Sequence, residues 1–121
     1  MNAFEFAKQV IELCSGRPFI RGVEILLLDE PVAKIKSVID DKTHISVFFN
    51  ADTARHSFAL IKNDRRIFGA DNVGGWHIHP FEDPESHQDS DEITFAGFLD
   101  MVGKGMDRWI SRLARRHYGI Q

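Results

Sequence analysis

The chain has 121 residues, 43% of them apolar, a formal net charge of −3 and a single cysteine. That length builds one hydrophobic core without needing disulfides or metal merely to fold, so residues 1–121 read as a single domain. The lone Cys14 excludes an internal disulfide; with no charged-then-apolar leader and no long apolar run, the sequence reads as a cytoplasmic protein with no membrane partner.

Charge is spread unevenly. Residues 82–92 hold six carboxylates and no Lys or Arg, whereas residues 104–116 hold five basic residues against Asp107 alone. In chain order, Asn2 is placed to cap a first helix whose apolar positions Phe4, Ala7, Val10, Ile11 and Cys14 recur at helical spacing, and Gly16 with Pro18 ends it. From Val23 the pattern turns extended: 24–28 is a short apolar run, Pro31 a break, and 32–39 a second candidate strand. Asp40-Asp41-Lys42 reads as a hairpin turn. In 43–49, Ile45, Val47 and Phe49 alternate with His44, Ser46 and Phe48, which requires a sheet with one covered face. Residues 56–61 form another strand, and Asn63-Asp64 turns into a further one over 65–70.

The last extended piece, 75–79, carries the chemistry. Period-two geometry sends Trp76 and Ile78 to one face and His77 and His79 to the other. Pro80 and Pro84 structure the loop that follows, and helix propensity resumes near Asp91, where carboxylates suit a helix N-terminus. Phe95, Phe98, Leu99, Val102, Met106, Trp109, Ile110 and Leu113 then trace one apolar stripe, with Gly103 and Gly105 expected to kink or divide the helix. The fold predicted is α+β: an antiparallel sheet of about five or six strands with N-terminal and C-terminal helices.

Two histidines at i and i+2 on a strand stand roughly 7 Å apart at the backbone, from a rise of about 3.3 Å per residue. Such a pair can coordinate a borderline metal such as zinc, with a carboxylate or His87 completing the shell. It can equally act on a phosphodiester, one imidazole taking a proton and the other donating one. Asp71 and Asn72, just before Gly74-Gly75, are either a turn or a support for the histidines. His44 and His117 read as surface or helix-end residues, and His56 as intermediate, since its strand can lie beside the central one. Lys104, Arg108, Arg112 and Arg115 follow helical spacing and make one positive ridge. That ridge is suited to nucleic-acid phosphates or, more plainly, to solvent and the C-terminal helix dipole.

The run His56-Ser57-Phe58, a hairpin, Arg66-Ile67-Phe68-Gly69-Ala70-Asp71-Asn72, then Trp76-His77-Ile78-His79-Pro80, Pro84 and His87 resembles the TumE family, small toxin components of prokaryotic toxin-antitoxin pairs. The chain departs from it by placing Gly-Gly-Trp where many relatives have a histidine pair after Asp-Asn-Ala. The resemblance implies a growth-inhibiting toxin with a cognate antitoxin as partner and RNA as target. His77, His79, His87 and Asp71 would be the catalytic residues, the ridge would bind nucleic acid, and no cofactor would be needed. A homodimer is the oligomer considered.

A second resemblance is to the JAMM metalloprotease domain, whose zinc site looks like an upstream Glu, then His-x-His-Pro, then Ser-x-x-Asp opening a helix. It implies a zinc-dependent isopeptidase or peptidase with ligands drawn from Glu24, His77, His79 and Asp89 or Asp91. Asp89 falls one residue short of that spacing and Asp91 one beyond it, with Ser90 between. A non-enzymatic binding module is the third class considered.

Overall fold

The computed structural model describes the backbone of residues 1–118 and the side chains of residues 1–106. Helix α1 (Ala3–Ser15) begins where Asn2 places it: the Asn2 side chain accepts from Glu5 N at 2.8 Å, and the Glu5 carboxylate accepts from Asn2 N at 3.1 Å. The Glu30 carboxylate adds a second cap, accepting from Ala3 N and Phe4 N at 2.9 Å each. Four orphan N–H groups at a helix start need such acceptors, and Glu30 ties the helix to a distant turn in supplying them.

The buried side of α1 is Ala3, Phe6, Ala7, Val10 and Cys14. Phe4 and Ile11, expected to pack, are exposed. The apolar stripe is centred one position away from them, because Phe6 stacks on Phe49 with ring centroids 4.5 Å apart and fixes the rotation of the helix.

Seven strands follow in one antiparallel sheet whose spatial order is the sequence order: β1 (Gly22–Asp29), β2 (Val32–Asp40), β3 (Thr43–Asn50), β4 (Arg55–Lys62), β5 (Arg65–Asp71), β6 (His77–His79) and β7 (Gln88–Asp89). The expected count of five or six thus falls short by the last strand. Strand β7 has two residues, too few for any alternation to register, and it exists because it pairs with His77 and Ile78. Alternate residues Ala33, Ile35 and Ile39, then Ile45, Val47 and Phe49, then Phe58 and Leu60, then Phe68 and Ala70 are buried on one face. Both helices cover that face: α1 through Phe6, and α2 (Phe95–Tyr118) through Phe98, which lies 5.4 Å from both Phe58 and Phe68.

Helix α2 starts at Phe95 rather than near Asp91. Thr94 is the residue that caps it, its hydroxyl accepting from Gly97 N at 3.0 Å and its carbonyl from Phe98 N at 2.9 Å. The helix also runs undivided past Gly103 and Gly105. These glycines serve close packing: a Cβ at Gly105 would stand 2.7 Å from the Phe81 ring, and one at Gly103 would be 3.4 Å from Phe19. Lys104 is exposed. The side chains of Arg108, Trp109, Ile110, Arg112, Leu113, Arg115 and His117, and with them most of the expected ridge, lie outside the described residues.

Candidate metal centre

The hairpin from β5 to β6 builds the site. Its register pairs Gly69 with His79, Ala70 with Ile78 and Asp71 with His77. Ala70 and Ile78 therefore turn inward to the core, while Asp71, His77 and His79 share the opposite face. The reversal between the strands needs left-handed backbone, which Gly74 (φ 70°) and Gly75 (φ 107°) provide without a Cβ penalty. Asp71 and Asn72 pin that turn: Asp71 Oδ1 accepts from Val73 N at 3.0 Å, and the Asn72 side chain accepts from His56 N and donates to Ala54 O at 2.8 Å each.

The Asp71 carboxylate joins the two histidines. Its Oδ1 lies 3.0 Å from His77 Nε2 and its Oδ2 lies 3.0 Å from His79 Nε2; the side chains are 15%, 13% and 5% exposed for Asp71, His77 and His79. Burial pushes the Asp71 carboxyl up. The hydrogen bonds from His79 and Val73 and the charges of both imidazoles outweigh that effect and hold it below its ordinary value. Asp71 is therefore an anion at neutral pH.

Each ring has a nitrogen left to account for. His77 Nδ1 lies 3.1 Å from Gly75 O, and because a carbonyl only accepts, that nitrogen carries a proton. Its Nε2 then faces a carboxylate oxygen, which is favourable only with a second proton on the ring or with a cation between the two. His79 Nε2 donates to Asp71, leaving Nδ1 as a buried lone pair with no partner among the described residues. A carboxylate on one nitrogen and an unshared pair on the other is the arrangement that orients metal-binding histidines.

His87 closes the group. The loop after β6 is turned back by Asp83 N to Pro80 O and Ser86 N to Asp83 O, and it is fastened by Arg66, which donates to Pro84 O at 3.0 Å. The His87 ring lands parallel to His77 with centroids 4.7 Å apart and edge-on to His79 at 4.5 Å. Ligating nitrogens of all three lie within 4.8 Å of one another. In a tetrahedral shell two ligands about 2.1 Å from one zinc ion stand about 3.4 Å apart, so closing the shell needs an inward movement of about 1 Å or more. Parallel rings cannot both point at one ion; the exposed His87 is the ring free to turn.

Sequence reasoning missed Gly69. A Cβ there would crowd Phe58 O at 3.1 Å and the Arg66 side chain at 3.2 Å and would meet His79 Cδ2 at an ordinary contact distance of 3.6 Å, so the glycine serves the close approach of the β4 backbone and Arg66 beside His79. A glycine inside the apolar run Phe68-Gly69-Ala70 is the signal that marks such an approach.

The other expected ligands stand apart from the cluster. Glu24 is on β1, with four strands between it and His77, and its charge is felt instead by His44. Asp89 pairs in register with His77 and is exposed, and Asp91 follows on the way to α2. Neither belongs to the three-histidine group. His56 sits on the opposite, helix-covered side among Phe6, Phe49, Phe58 and Trp76, and burial lowers its pKa. No family model, curated protein or solved structure matches the chain.

Proposed function

We propose that the chain binds a divalent transition ion of the zinc type through His77, His79 and His87, and that it is a metal-dependent hydrolase. The observation that carries this reading is three imidazoles with nitrogens within 4.8 Å of one another, two of them in contact with one part-buried carboxylate. Imidazole suits a borderline cation, three protein ligands leave a position for water, and a bound ion makes that water a nucleophile at neutral pH. Asp71 orients His79 through Nε2 and leaves its Nδ1 to ligate; at His77, whose Nδ1 donates to Gly75 O, the cation would enter at Nε2, where the Asp71 charge favours it over a second ring proton. The six carboxylates of residues 82–92 raise local cation concentration and disfavour a polyanionic substrate, which supports a neutral amide or ester bond as the target.

Metal analysis of protein purified without added metal tests the reading, with retained zinc near one per chain expected. Zinc at a hundredfold excess over its dissociation constant adds about 2.7 kcal/mol, which raises the melting temperature by roughly 10 °C for a domain of this size. His79→Ala and His87→Ala should abolish that shift. Absence of bound metal together with no thermal shift from zinc, cobalt, nickel or manganese overturns the proposal.

One observation favours the toxin-like reading, in which RNA is cleaved without metal. With Asp71 beside it, His77 has a hydrogen-bond acceptor at each nitrogen and can serve as the proton donor, while His79 keeps an unshared pair as the base. Ribonuclease activity that survives chelator and is lost in His79→Ala would select that reading, and co-purification of a second small protein from the native host would fit a cognate antitoxin.

A further inference from the structure

A second feature lies on the other side of the sheet from the histidine cluster and is independent of it. Between α1 and the start of α2 is a cleft of about 410 Å³, lined by Phe6 and Leu13 from α1, Ile93 and Phe95 from the α2 approach, and the His56 imidazole from β4. Gln9 and Glu92 also line it. Its volume falls within the range of small-molecule sites, which are mostly apolar with a few placed polar groups.

His56 is the polar group with no assigned work. Its backbone is locked to Asn72 and its ring is set among four aromatic rings, with Phe49 closest at 4.8 Å. Nδ1 is sealed from solvent and has no partner among the described residues. An N–H sealed without an acceptor is rarer than a sealed lone pair, so the proton of the neutral ring sits on Nε2. Nε2 makes no hydrogen bond within the described residues and is not among the sealed atoms. The cleft therefore offers one imidazole N–H donor in apolar walls. Charge selects further: residues 94–96 bring the positive end of α2 to the cleft, Met1 with the α-amino group also borders it, and Glu92 offsets them. A neutral head group is favoured over either ion.

We propose that this cleft binds a small, largely apolar, uncharged molecule with one hydrogen-bond acceptor, such as a carbonyl, which takes the proton of His56 Nε2. The probe is acetophenone, an aromatic body with a single carbonyl, titrated into the full chain and followed by amide and methyl NMR. Saturable shifts at His56, Leu13, Ile93 and Ala96 are expected. The same-shaped α-methylstyrene, with a methylene in place of the carbonyl oxygen, should bind about fivefold more weakly, the worth of one ordinary hydrogen bond. Gln9→Trp, at an exposed α1 position beside the cleft, fills it and should remove the shifts while the rest of the spectrum stays folded. Absence of saturable shifts at millimolar acetophenone, shifts that persist in Gln9→Trp, or equal affinity for the two probes each overturns the proposal.

Discussion

Replacing Asp71 with asparagine keeps its shape and removes its charge. In the native protein one carboxylate takes part in two charge-assisted contacts at 3.0 Å, to His77 and His79, in surroundings where all three side chains are mostly covered. Each such bond contributes about 1.5–3 kcal/mol. Asparagine retains one acceptor for one ring and turns an amide N–H toward the other, so about 2–3 kcal/mol should be lost at pH 7 in metal-free protein. The loss has a pH signature. The folded Asp71 carboxyl is held below its ordinary 3.8. Its stabilisation is therefore fully present above the unfolded value and disappears as pH falls through the lower folded one. Urea unfolding of both proteins across pH 2–7, with unchanged m-values, measures this directly: the gap between them should be widest near neutrality and close in acid. In the metal-loaded state the same substitution should weaken zinc binding about 10–100-fold. An Asp71→Asn variant as stable as the parent at pH 7, or a gap that stays constant into acid, would refute the role assigned to Asp71.

Two further substitutions follow. Gly69→Ala sets a methyl 3.1 Å from Phe58 O and 3.2 Å from the Arg66 side chain. Crowding of about 1–3 kcal/mol, partly offset by about 0.4–1 kcal/mol from a stiffer unfolded chain, leaves a net loss of about 1 kcal/mol in urea unfolding. A variant more stable than the parent would show that Phe58 O and Arg66 give way to the methyl without cost. For His56, burial depresses the imidazole below its ordinary 6.5, so the unfolded chain takes up a proton that the folded one resists. That contribution to stability is complete above pH 6.5 and declines as pH falls below it, and His56→Phe should reduce the acid-induced loss measured between pH 7 and 5. Parallel pH profiles for parent and variant would contradict it.

How much of this was written in the sequence depends on the range of the interaction concerned. Local rules placed the α1 cap at Asn2, the turn at Asn63-Asp64, whose residues adopt φ of 52° and 62°, and the common face of His77 and His79. Each depends on neighbours within a few residues. What escaped depends on partners far along the chain. Phe6 displaced Phe4 from the core because Phe49 was waiting for it, and β7 formed because β6 offered an edge. Asp71 was legible as a turn residue, but its hold on His79 needed the register of β5 against β6. Glu24 was matched to the upstream glutamate of the metalloprotease resemblance, and strand order puts four strands between it and His77.

The same register sets His77 and His79 in place on the outer face. Residues of the β5–β6 reversal alternate between the two faces of the sheet: Asp71 holds the histidines outside, and Asn72 clamps the backbone of His56 at the edge of β4. Trp76 sets its ring 5.7 Å from His56 and 6.2 Å from Phe58 inside, and His77 returns to Asp71 outside. A shift of one residue in pairing would turn the imidazoles under the helices and the indole to the outer face, so the aromatic cluster under the helices specifies the position of the histidines on the other side. Under the proposed metal-binding reading, packing at Trp76 should therefore influence metal affinity even though the indole touches the far face. A Trp76→Leu variant that loosened zinc binding without altering any ligand would be the direct expression of that coupling.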